Sequence, residues 1–229
     1  MIEFPPWPYF ADDETSAALG VLKSGRVNQW TGTEVVSFEE EFARHLGVSH
    51  ATALANGSVA LDTALSVLGI GPGDEVVVTP RSFVASASCI VLRGAVPVFV
   101  DVDPDSQNIT ARAVEEAVTP RTKAVIAVHL AGWPCEMDAL EALCRAKGLF
   151  LVEDCAQAHG AKTGGRPAGS FGHFAAFSFC QDKIMTTGGE GGMLVTNDDD
   201  LWKRAWSFKD HGKDHDAAFR GGPSGGFRW

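Results

Sequence analysis

The feature that most constrains the fold is a rhythm of short β-branched runs separated by helical stretches. Strand signals fall at residues 75–79, 96–100, 124–128, 150–153, 174–179 and 193–196. Several are continuous apolar runs without polar alternation, such as Val76-Val77-Val78 and Val125-Ile126-Ala127-Val128, as strands buried on both faces require. Helical stretches at 84–92, 111–117, 137–146 and 199–207 separate most of them. This order predicts an α/β fold with a mostly parallel central sheet flanked by helices. Upstream, residues 12–23 read as a helix ending near Gly25. Ser37-Phe38-Glu39-Glu40 reads as a capping box that opens a helix running to Gly47. A short apolar piece at 51–55 and a helix at 59–68 follow. The stretch 209–229 is rich in Gly, His, Asp and Arg and carries no hydrophobic period, so a loop is expected there.

In open parallel sheets, ligands sit beyond the carboxyl ends of the strands, so the residues just past each strand matter most. Asn56-Gly57-Ser58 opens a helix, where backbone N–H groups and a hydroxyl could cradle a phosphate; a plain N-cap is the alternative. Phe83 follows the strand at 75–79 and could stack on a planar ring, or simply fill the core. Glu153-Asp154 ends a strongly hydrophobic strand. An acid there is expensive to bury without a positive partner, and it could pair with a cationic ring nitrogen. Ser178 lies near the end of the strand at 174–179, and Lys183 follows it, just before the glycine cluster of residues 187–192. A lysine in such a confined place can lose its proton and become nucleophilic. Together these are a phosphate cradle, a ring stacker, an acid for a pyridine nitrogen and a Schiff-base lysine, the constellation that holds pyridoxal 5′-phosphate.

Composition narrows the partners. The 229 residues carry a formal charge of −10, which argues against a nucleic-acid or anionic-membrane surface as main partner. No apolar run reaches the length of a membrane span. The five cysteines have no redox or zinc-knuckle spacing, which fits reduced thiols in a cytoplasmic protein. The glycine cluster lacks the Gly-Lys-Ser/Thr ending of a phosphate-binding P-loop, and no Gly-x-Gly-x-x-Gly marks a dinucleotide site. His211 and His215 have helical spacing beside several Asp residues. Without a His-Glu-x-x-His pattern they read as a solvated polar segment, and no metal is expected.

Several segments in family order resemble the sugar aminotransferases of the DegT/DnrJ/EryC1/StrS group, of fold type I. They include SGRVNQWTGTEVVSFEEEFARHLGV, ANGSVALDTAL, GPGDEVVVTPRSFVASA, LVEDCAQAHGA and FSFCQDKIMTTGGEGGMLVTNDDDLWKRAWSFKDHGK. The resemblance implies pyridoxal phosphate as cofactor. Lys183 would bond to it, Asp154 would face its pyridine nitrogen and Phe83 would stack on its ring. Gly57, Ser58 and Ser178 would hold the phosphate, with Gln157 near the ring. Lys183 and Asp154 would be the catalytic pair. The implied reaction moves an amino group from an amino acid, glutamate by resemblance, to a keto group of a nucleotide-linked deoxysugar, in a homodimer. Residues 1–25 would be an arm and helix, 26–208 the cofactor domain and 209–229 a loop toward a smaller C-terminal domain that this chain lacks. On that expectation the chain could be a catalytically incomplete fragment, or a non-catalytic cofactor-binding or regulatory protein. Ala131 stands where many relatives have Tyr in His-x-Tyr-Gly, and the glycine loop looks one residue longer than usual.

Overall fold

The computed structural model describes residues 6–220, apart from the side chain of Arg220. Helix α1 (Asp12–Ser24) leads to α2 (Glu34–Leu46) and strand β1 (His50–Leu54). The chain then alternates through α3 (Gly57–Val67), β2 (Glu75–Val78), α4 (Ala85–Leu92), β3 (Val96–Phe99), α5 (Ala111–Ala117), β4 (Thr122–Val128), α6 (Met137–Lys147) and β5 (Phe150–Asp154). A small hairpin, β6 (Lys162–Thr163) and β7 (Arg166–Pro167), precedes β8 (Phe174–Ser178), β9 (Gly192–Thr196), α7 (Asp199–Lys209) and α8 (His215–Arg220). Seven strands form one sheet in the order β1-β9-β8-β5-β4-β2-β3. Only β9 runs against its neighbours β1 and β8; the β2–β3, β2–β4, β4–β5 and β5–β8 pairs are parallel. The α/β expectation therefore holds.

Side-chain alternation divides the core between the two faces. Val76, Val78, Ala124, Ile126, Val152, Phe174 and Ala176 pack toward α3 and α4. Val77, Val125, Ala127 and Leu151 pack toward α5 and α6, while Ala175 and Phe177 meet Phe42, Ala43 and Leu46 of α2. The one polar residue of β2, Glu75, sits at its first position, and the three β2 valines are each 0% exposed. Full burial of such a side chain contributes roughly 1.5–3 kcal/mol.

Three local expectations are corrected. The helix after residue 33 starts three residues before the Ser37 capping box. Thr33 is its N-cap without a side-chain bond, and Ser37 N–H donates to Thr33 C=O at 2.9 Å, one turn inside the helix. The neighbouring Glu39 bonds outside its own helix: its Oε1 accepts from Ala53 N–H of β1 at 2.7 Å. Burial raises the Glu39 pKa above its ordinary value. The expected loop from residue 209 contains helix α8, and residues 221–229 lie outside the described residues. His215 is not a solvated histidine. Its ring packs 4.5 Å from Trp202, 5.0 Å from Trp206 and 4.9 Å from Phe219, centroid to centroid. Those aromatics supply an apolar face that the polar sequence hid. The β6–β7 hairpin was also not expected. Its signal was Gly164-Gly165 between the two strands, where φ values of 58° and 84° suit the two-residue turn that favours glycine.

Candidate active site at the carboxyl ends of the strands

The carboxyl ends of β4, β5 and β8 and the N-terminus of α3 surround a cavity of about 490 Å³. Asn56, Gly57, Ser58, Phe83, Asp154, Gln157, Ser178 and Lys183 all line it. Every residue expected from the sequence is thus brought to one place. Glu190, Cys180 and Ser82 also line it and were missed. Glu190 was hidden inside a run of glycines and Ser82 beside the aromatic that drew attention. Only the folding of residues 178–191 back over the strand end brings Cys180 and Glu190 in.

The α3 end is built for close approach. Asn56 caps the helix, its side-chain oxygen accepting from Val59 N–H at 2.9 Å, and Ala60 N–H closes on Asn56 C=O at 3.1 Å. Helix geometry leaves the Gly57 and Ser58 amides without an intrahelical acceptor. A Cβ at Gly57 would lie 2.9 Å from the Ser178 Cβ. Glycine therefore lets the helix N-terminus and Ser178 share one wall, and the donor set matches a phosphate monoester.

The loop after β8 positions Lys183. Lys183 N–H donates to Cys180 C=O at 2.9 Å, Gln181 N–H to Gly189 C=O at 3.0 Å, and Thr186 Oγ1 to Phe179 C=O at 2.9 Å. These bonds fold the glycine run back over the strand end. The lysine side chain is 16% exposed, with Nζ 3.4 Å from Asp182 Oδ2. Burial lowers the pKa of the nearby His159 imidazole below its usual 6.5, and the charge of Lys183 pushes the same way. Phe83 is 65% exposed, so its ring is a free face rather than core. Gln157 reaches across to β4's following turn, its Oε1 accepting from Ala131 N–H at 2.6 Å. Ala131, the residue that departs from the family pattern, has φ 53°, a left-handed conformation rare outside glycine, Asn and Asp.

Two neighbouring acids at the end of β5 point opposite ways. Asp154 lies on the α3–α4 face, where it lines the cavity. Ser86 Oγ donates to its Oδ2 at 2.5 Å and Ala156 N–H to its Oδ1 at 3.1 Å. Glu153 is 0% exposed on the other face. Its Oε1 accepts from Phe171 and Gly172 N–H at 2.8 and 2.7 Å. Its Oε2 accepts from Gly169 N–H at 2.8 Å and pairs with His129 Nε2 at 3.1 Å. His129 Nδ1 accepts from Cys135 N–H, which leaves Nε2 as the donor to Glu153. Ligand atoms of His129, Glu153 and Cys155 lie within 4.8 Å of one another. That cluster offers nothing to a cation, because the Glu153 oxygens and both His129 nitrogens already bond within the protein.

Three buried thiols are held in their neutral form. Burial pushes Cys89, Cys135 and Cys144 up to about 12. All five cysteines are free, and among the described residues no helix is long and apolar enough to cross a membrane.

Known proteins share this fold. The model of the DegT/DnrJ/EryC1/StrS aminotransferase family matches residues 8–224. An aminotransferase from Psychrobacter cryohalolentis, known from its X-ray structure, is 53% identical with a TM-score of 0.96, over 99% of this chain and 57% of that one. The 3-amino-5-hydroxybenzoate synthase of Amycolatopsis mediterranei is 44% identical over 91% of this chain and 54% of its own length. The GDP-perosamine synthase of Caulobacter vibrioides is 47% identical over 80% of this chain and 49% of its own. The chain spans about half the length of the curated relatives it matches. By sequence and by fold, the chain belongs to the DegT/DnrJ/EryC1/StrS aminotransferase family, whose members use pyridoxal 5′-phosphate.

Proposed function

We propose that this chain is the cofactor-binding part of an aminotransferase that moves an amino group from an amino acid to a ketone on a sugar or related ring. The acceptor we favour is a nucleotide-linked deoxysugar, with glutamate as donor and a homodimer as working unit. The observation that carries the reading is convergence: Lys183, Asp154, Phe83, Gln157, Ser178 and the Gly57-Ser58 helix end line one cavity. The donors at one wall suit a phosphate, the acid suits a protonated ring nitrogen, and the amine suits an aldehyde. Three chemically distinct parts of one cofactor would therefore each find a complementary group.

When bound, pyridoxal phosphate supplies an electron sink that accepts and releases the amino group. The protein supplies the rest. The Gly57 and Ser58 amides and the hydroxyls of Ser58 and Ser178 would grip the phosphate. Phe83 would cover one ring face. Asp154 would keep the ring nitrogen protonated, because a nearby anion favours the charged form. Lys183 Nζ would hold the cofactor's aldehyde and, once freed, would carry the proton taken from the donor's α-carbon. Gln157, which also lines the cavity, would lie near the ring.

The reading is tested by adding pyridoxal phosphate and borohydride, then mapping the reduced adduct by peptide mass. The adduct should sit on Lys183, and Lys183→Ala should abolish both the visible absorbance band and transamination. General acid–base groups contribute about 10²–10⁴-fold. Full turnover in Lys183→Ala would overturn the mechanism. A trapped adduct without turnover would instead mark a chain that binds cofactor but does not complete catalysis.

A further inference from the structure

Asp154 is held from α4 by a chain of hydroxyls. Ser86 is 1% exposed and sits in the first turn of the helix. It is not the cap, since that place is taken by Val84. Its Oγ donates to Asp154 Oδ2 at 2.5 Å, a length typical of a bond to a charged acceptor. Ser82 Oγ lies 2.6 Å from Ser86 Oγ. With the Ser86 proton spent on Asp154, Ser82 is the donor in that pair. Ser82 lines the cavity, whereas Ser86 does not reach it. Alanine at position 86 would suit the helix better, so the buried hydroxyl is accounted for by its bonds to Asp154 and Ser82.

We propose that Ser86 is a positioning residue for the acid of the site. Its hydroxyl, polarised by Ser82, holds Asp154 facing the cavity as a carboxylate and so keeps the proton it shares with the cofactor's ring nitrogen on the nitrogen. The proposal rests on the role given to Asp154 above. A hydrogen bond to the charged form of an acid favours that form, and chained hydroxyls strengthen one another. Without the donor, the neutral acid paired with a neutral ring nitrogen gains relative to the ion pair. Ala156 N–H holds the other oxygen, so Asp154 would keep one anchor and lose its aim.

The test uses the whole protein reconstituted with pyridoxal phosphate carrying ¹⁵N in the ring, because the ¹⁵N chemical shift reports ring protonation without turnover. In the unmodified protein it should lie at the protonated-pyridine value. Ser86→Ala should move it toward the neutral-pyridine value and lower kcat about tenfold, leaving the KM for the amino donor within about twofold. Ser86→Thr, which keeps the hydroxyl, should restore both. Ser82→Ala, at the cavity edge, should move the shift the same way by less, and it serves if the buried substitution prevents folding. A shift that moves in neither Ser86→Ala nor Ser82→Ala overturns the proposal. Asp154→Asn separates it from its premise. If that variant alone leaves the ring protonated, the role of Asp154 fails and Ser86 has nothing to position.

Discussion

Glu153 and Asp154 are adjacent carboxylates at the end of one strand, and the fold treats them in opposite ways. Glu153 meets three backbone N–H groups and His129, and no solvent. Asp154 meets one hydroxyl and one N–H and borders a cavity. A buried charge is tolerated when every lone pair is used. Glu153 satisfies that condition inside the protein, so its charge organises the 169–172 turn. Asp154 leaves bonding capacity on the cavity side, so its charge is available to a ligand. Sidedness alone separates the two: residues two apart share a face of a strand, and residues one apart do not.

This contrast can be broken by exchanging the consequences of substitution. The largest effect on folding is expected at Glu153. Glu153→Gln places an amide N–H₂ among donors and should cost about 3–5 kcal/mol in chemical denaturation. The remaining folded molecules should still give the borohydride adduct on Lys183. Asp154→Asn should do the reverse. It should change unfolding free energy by about 1 kcal/mol or less while lowering kcat by about 10²–10³-fold, the scale of a lost charge-stabilising group. Equal stability losses in the two variants would end the distinction. The smallest effect concerns His159, whose folded-state pKa is below its usual 6.5. The unfolded chain then binds the proton more tightly. This contribution to stability is fully present above about pH 6.5 and is lost as pH falls through the folded pKa. Denaturation at pH 7.5 and 5.5 should show the decline, and it should shrink in His159→Gln.

Much of this was legible in the sequence, for identifiable reasons. The strands at the centre of the sheet were readable because burial on both faces forces unbroken runs such as Val76-Val77-Val78. The expected site residues were readable because strand ends in a parallel sheet converge. What failed depended on partners distant in sequence. The exception is the Ser37 capping box, which failed locally: the helix has already begun at Glu34, and Ser37 N–H bonds to Thr33 C=O inside it. His215 looked solvated because its apolar surroundings, Trp202, Trp206 and Phe219, lie on two separate helices. Glu190 and Cys180 reach the cavity only through the folded loop after β8.

The sequence by itself determined the layer architecture and the residue types of the site, because apolar runs and strand-end chemistry are local properties of the chain. Which carboxylate closes on the protein and which faces the cavity was decided only by tertiary structure. So was the hydroxyl chain from Ser82 through Ser86 to Asp154, which joins α4 to β5 across 68 residues. Both depend on which segments pack beside the end of β5, and no local pattern in the chain encodes that neighbourhood.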